Sequence, residues 1–133
     1  MPLIVDASVA LAWFVRTQAT GYTDRIRRHA RRERLHVPGV WPLEFTNALR
    51  QLERRKLLTA QQVDTIIDLV EPLDIVVHGE PPERRRVLAI AREHDLTTYD
   101  AAYLDLATAL RYPVACRDGA LRKALRAAGL KLA

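Results

Sequence analysis

Cysteine is almost absent. Cys116 is the only one in 133 residues, so no internal disulfide can form and a zinc site built on thiolates has no ligand set to draw on. That usage suits a reducing compartment, and a cytoplasmic protein is expected. Long hydrophobic runs are missing as well. The most apolar stretch, Ala7 to Val15, is far too short to cross a bilayer. It follows an aspartate and lacks a basic lead-in, so it does not read as a secretory leader, and no membrane association is expected. Repeats, low-complexity tracts and linkers are also missing. The expectation is one domain over residues 1–133, and a chain of that size buries roughly two thirds of its unfolded surface.

Charge is present and unevenly placed. The net charge is +5. Arginines 16, 25, 27, 28, 31, 32 and 34, against Asp24 and Glu33, account for all of it. Arg54, Arg55 and Lys56 form a second basic cluster. Such patches suit a phosphate backbone or an acidic protein segment, and equally a solvated helix face.

Hydrophobic spacing gives a βαβα rhythm. Strands are predicted at Leu3–Val5, Leu35–Val37, Leu73–Val77 and Val114–Cys116, with a final short strand after Gly129. Helices are predicted over Ala7–Val15, from Thr20 to about Arg32, over Trp41–Arg54, after a Thr59 cap, and around Val87, Leu88 and Ala91. Two more follow, one capped by Thr98 and running to about Arg111, the other placing Leu121, Ala124, Leu125 and Ala128 on one face. Short strands alternating with helices predict an α/β fold, a parallel sheet covered on both faces.

Four carboxylates sit where burial is expected. Asp6 follows the first strand and Asp118 the Val114–Cys116 strand, the edge where open parallel sheets bind ligands. Both also precede helices, where aspartate caps well. Glu44, three residues after Trp41, adjoins a buried stripe, and Asp100 shares a helix face with Tyr103, Leu104 and Ala107. A buried arginine partner would account for either. Asp105, rotated about 140° from Asp100, reads as solvent-facing. Two like charges about 4 Å apart repel by roughly 4 kcal/mol at an effective dielectric near 20. Gathered acids therefore need protons or cations, and all-oxygen ligands favour Mg²⁺ or Mn²⁺.

The segments LIVDASVALAW, WPLEFTNAL, LTTYDAAYLDLA and PVACRDGALRKA, in this order, resemble a PIN-domain ribonuclease, and within that group the toxin of a VapBC-type toxin–antitoxin pair. The resemblance covers essentially the whole chain and implies a three-layer α/β/α sandwich with a short-stranded central parallel sheet. It implies an endoribonuclease that uses Mg²⁺ or Mn²⁺ to cut single-stranded RNA, leaving a 5′-phosphate. Asp6, Asp100 and Asp118 would be the principal metal ligands, with Glu44 binding metal or orienting the attacking water. Ser8 could support a ligand carboxylate. Cys116 departs from the pattern, which has Thr or Ser there, and a thiol donates a poorer hydrogen bond. The implied partners are RNA, a VapB-like antitoxin and a second copy of the chain, with DNA reached only through the antitoxin. Arg25, Arg28, Arg32, Arg54 and Arg55 are the candidate RNA contacts.

Other readings fit less well. Histidines 29, 36, 78 and 94 show no metal-ligand spacing and no sign of a catalytic pair. A response-regulator receiver needs an adjacent acidic pair and a middle-strand aspartate, whereas the middle strand here ends Val77-His78. A D-x-D phosphatase needs an acid at Ser8. The rival from another class is a non-catalytic PIN-like module that binds protein or RNA.

Overall fold

A computed structural model describes residues 1–133. Four parallel strands, β1 (Leu3–Val5), β2 (Leu35–Pro38), β3 (Ile75–His78) and β4 (Val114–Ala115), lie in the order β3-β2-β1-β4. Leu3 pairs with Leu35, Ile4 with Val114 and His36 with Val76. Seven α-helices connect them: α1 (Ala7–Ala12), α2 (Gly21–Ala30), α3 (Trp41–Arg54), α4 (Ala60–Val70), α5 (Arg84–His94), α6 (Thr98–Leu110) and α7 (Gly119–Ala127). The first strand is wholly buried, as are Val9, Phe45, Leu49, Tyr103, Leu121 and Leu125 on the helices around it. A buried strand covered on both faces reads as a continuous apolar run, as LIV does. The fold is the expected α/β sandwich with a short-stranded parallel sheet.

Several boundaries differ from expectation. The first helix stops at Ala12, because Trp13 turns its indole N–H to the Thr23 carbonyl (3.0 Å) and the chain tightens into a 3₁₀ turn at Arg16–Gln18. β3 starts two residues later than predicted and takes in His78, since Leu73 closes a turn onto Val70. Thr97, not Thr98, caps α6 by accepting the Asp100 N–H (3.1 Å). Thr59 caps α4 as expected, with Gln62 answering in a capping box. Leu88 and Ala128 face solvent. The last strand shrinks to one bridge, Val114 to Leu132.

Candidate active site

Parallel strands start α1, α3 and α7 at the same sheet edge, N-terminus first, while α6 follows α5 and brings Asp100 to that edge beside Glu44 and Asp118. Asp6 caps α1, accepting the Val9 N–H (2.9 Å), and Asp118 caps α7, accepting the Leu121 N–H (2.9 Å). Glu44 and Asp100 stand in the first turns of α3 and α6. All four acids thus occupy helix N-termini, where the exposed amides and the dipole favour negative charge. Capping and a shared acidic site are therefore compatible readings of Asp6 and Asp118.

The environments differ sharply. Asp6 is 9% exposed, and burial pushes its carboxyl up to about 6, against the lowering pull of the Val9 amide, Ser8 and Arg117 and with a further rise from Glu44. The Ser8 hydroxyl donates to Asp6, 3.0 Å from Oδ1 and 3.1 Å from Oδ2. Glu44 is half-buried, and burial and then the Asp100 charge raise its carboxyl, opposed by a hydrogen bond from Tyr103. Burial and then the Asp118 charge raise Asp100 as well. The four acids thus feel one another across a single edge. Cys116 is fully buried among them, and desolvation, with added pressure from Asp6, Asp118 and Asp100, pushes its thiol up to about 12. It is a neutral packing group at physiological pH, and the hydroxyl that orients Asp6 comes from Ser8.

None of the four acids forms an ion pair with arginine. The acid that does is Asp105: Arg86 grips it with a fork of 2.8 and 3.2 Å at the α5–α6 seam, so it is paired rather than free in solvent. As the side chains stand, no three acidic, histidine or cysteine groups lie close enough together to hold a metal ion. The donor chemistry, carboxylates at one edge that no arginine pairs, fits a hard divalent cation. Asp6, Glu44, Asp100 and Asp118 would hold it, and binding would require these side chains to draw together.

Three contacts are not legible in the sequence. The Tyr103 hydroxyl donates to Glu44 Oε1 at 2.7 Å; the helix pattern had made Tyr103 a core residue, which it also is. Arg117 donates from Nη2 to the Ser8 carbonyl and from Nη1 to the Gln18 carbonyl, both at 2.9 Å, bracing the start of α1 beneath Asp6. The only hint was its place in CRDG, between Cys116 and Asp118. His36 and His78, 42 residues apart, meet at 2.9 Å between Nδ1 and Nε2 on adjacent strands β2 and β3, away from the acids that follow β1 and β4. Arg54 and Arg55 close the far end of α3, about 15 Å along the axis from Glu44.

Tyr103→Phe should leave the fold intact while removing the one donor to Glu44 Oε1. We expect divalent-ion affinity, read by titration calorimetry, to fall about 10- to 100-fold, the range for losing a hydrogen-bond partner of a ligand. Unchanged affinity would show that Glu44 needs no such support.

A parallel sheet sandwiched by helices, with four acids at helix N-termini along one edge, is an α/β architecture whose oxygen donors suit a divalent cation. The PIN-domain family model matches residues 3–126, and the chain belongs to that family. It is 29% identical over 109 residues to ribonuclease VapC3 of Pyrobaculum aerophilum, spanning 80% of this chain and 82% of that protein. It is also 29% identical over 121 residues to ribonuclease VapC12 of Mycobacterium tuberculosis, spanning 90% and 88%. The crystal structure of PAE2754 from Pyrobaculum aerophilum superposes with a TM-score of 0.65 at 22% identity, over 93% of this chain and 84% of that one. That likeness concerns the fold.

Proposed function

We propose that residues 1–133 form one nuclease domain, a VapC-type endoribonuclease toxin that cuts single-stranded or loop RNA with Mg²⁺ or Mn²⁺ and is neutralised by a VapB-like antitoxin. The observation that supports it most is the placing of Asp6, Glu44, Asp100 and Asp118 at four helix N-termini along one edge, none of them ion-paired with an arginine. A packed protein has no electrostatic reason to gather unpaired carboxylates unless a cation or proton is to join them. A bound divalent cation supplies a water of lowered pKa and a counter-charge for an in-line phosphoryl displacement. Asp6, held by Ser8 and the Val9 amide, is the fixed ligand. Glu44, held by Tyr103, is placed to ligate or to orient the attacking water. Asp100 and Asp118 complete the edge.

The relatives' names support the ribonuclease reading, and the antitoxin partner follows from the resemblance to VapBC pairs. An antitoxin arginine entering the acid cluster would replace the cation's charge, and DNA contact would belong to the antitoxin. We assign the toxin to the cytoplasm, acting as a homodimer. The deciding experiment mixes the purified chain with labelled, unpaired RNA and Mn²⁺ or Mg²⁺, with an EDTA control, and maps the fragment ends. Metal-dependent cleavage leaving 5′-phosphates is expected. Fragments ending in 2′,3′-cyclic phosphate would refute the mechanism, and absence of both cleavage and metal binding would leave the binding-module reading in its place.

A further inference from the structure

The arginine-rich segment is placed by the fold rather than merely exposed. α2 begins at the carboxylate edge, where Tyr22 packs near Cys116 and Arg122, and it ends at the opposite edge, where β2 starts. Arg25 and Arg122 both lie over the Tyr22 ring, at 5.3 and 5.5 Å, and beyond Tyr22 the helix carries Arg25, Arg27 and Arg28 toward its Arg31 C-cap, away from the acids. At the far edge a cavity of about 550 Å³ opens between the end of α1, the end of α2 and the starts of β2 and β3. Phe14, Leu35 and Leu73 give it an apolar floor, and Arg27, Arg31 and Arg32 stand on its rim.

The charges in this cavity do not cancel. Of its two acids, Glu33 is taken by the terminal amine of Met1, and Asp74 pairs with Arg34 at 3.0 Å. Arg27, Arg31 and Arg32 make no ion pair. Three uncompensated cations around one concavity concentrate a positive field that a flat solvated face would spread. Guanidinium forks match phosphate oxygens, and the rise from Arg27 to Arg31 along the helix is about 6 Å.

We propose that this cavity and the arginine row leading to it form a second RNA contact, gripping the unpaired strand on the edge opposite the carboxylates. The inference rests on the nuclease reading and deepens it: substrate RNA runs from the cutting edge along α2, its phosphates on Arg27, Arg31 and Arg32, and one base rests on the Phe14 floor. An acidic protein segment would meet the same cations. RNA is favoured because α2, whose arginines end at this cavity, starts at the carboxylate edge where cutting would occur.

The test is binding, separated from cleavage. Anisotropy of a labelled single-stranded RNA is followed across a salt series in EDTA on an Asp6→Asn background, with and without Arg27→Ala, Arg31→Ala and Arg32→Ala together. Losing three phosphate contacts lowers the slope of log K against log salt by about 2, and affinity at low salt falls at least about tenfold. The Arg92→Ala variant on α5 should leave the slope unchanged, and a melting curve establishes that the triple variant is folded. Lysine at the three positions should restore the slope. An unchanged slope in a folded triple variant overturns the proposal, as does loss of affinity for a glutamate-rich peptide without any loss for RNA. Failure of the nuclease reading shows separately, as wild-type chain that binds RNA and does not cut it.

Discussion

Asp6→Asn is expected to abolish RNA cleavage and, at the same time, to make the protein more stable. In the metal-free protein Asp6 is buried, and its carboxyl is raised from 3.8 to about 6. A folded-state value above the unfolded one means that ionisation opposes folding. The penalty is absent below about pH 4, grows as pH rises toward 6, and is complete above it. At pH 8 it amounts to about 3 kcal/mol. Asparagine stays neutral and still offers Oδ1 to the Val9 amide, so the cap survives. The melting temperature in EDTA at pH 8 should therefore rise by about 5–10 °C. The gain should shrink toward zero as pH falls to 4. Divalent ions should raise the melting temperature of the wild type and not of the variant, because only a species that binds the folded state stabilises it. Cleavage should fall at least about a hundredfold, since even indirect ligand supports cost 10- to 100-fold. For the wild type, cleavage at limiting metal should decline below about pH 6 as Asp6 takes its proton. A variant less stable than wild type at pH 8 would mean that Asp6 is a structural cap rather than a charge held against a folding cost.

The second large effect is on the scaffold. Phe45, next to Glu44, is 2% exposed; it stacks on Trp41 at 5.0 Å and meets Phe14 edge-on at 6.3 Å. Phe45→Ala removes a ring from the middle of this cluster, at a cost of about 3–5 kcal/mol. The same corner already carries the cost of the Trp41 indole N–H, buried without a partner. Against a total stability of about 5–15 kcal/mol, that loss should lower the urea midpoint markedly with little change in slope. Phe45→Leu should recover much of it. Cleavage by the alanine variant should fall with the folded fraction and recover with leucine, because α3 is what presents Glu44. A stability within about 1 kcal/mol of wild type would show that the aromatic cluster is not what seats α3.

Much of this was legible in the sequence, for local reasons. LIV followed by an aspartate fixes a buried strand ending in a cap, and the stripe Trp41, Phe45, Leu49 and Leu52 fixes both a helix and its inward face. Alternation of strands and helices then dictates parallel strands, and parallel strands place Asp6 and Asp118 on one edge. Chain-local spacing could not say which groups meet across elements. The Tyr103 bond to Glu44 spans 59 residues, and the His36–His78 contact spans 42; both depend on packing and strand register. The end of α1 was misjudged because Trp13 leaves its helix for the Thr23 carbonyl on α2. The far-edge cavity shows the same division. The arginines of residues 16–34 are a charge run in the sequence, and only the course of α2, from the carboxylate edge to the start of β2, turns three of them toward one concavity. The sequence by itself determined most of the elements, the parallel pairing of the strands and the places of Asp6 and Asp118 after strands, because helix period, capping and burial are local. The tertiary structure decided which side chains support those acids and where the unpaired positive charge gathers, because both depend on groups brought together from distant parts of the chain.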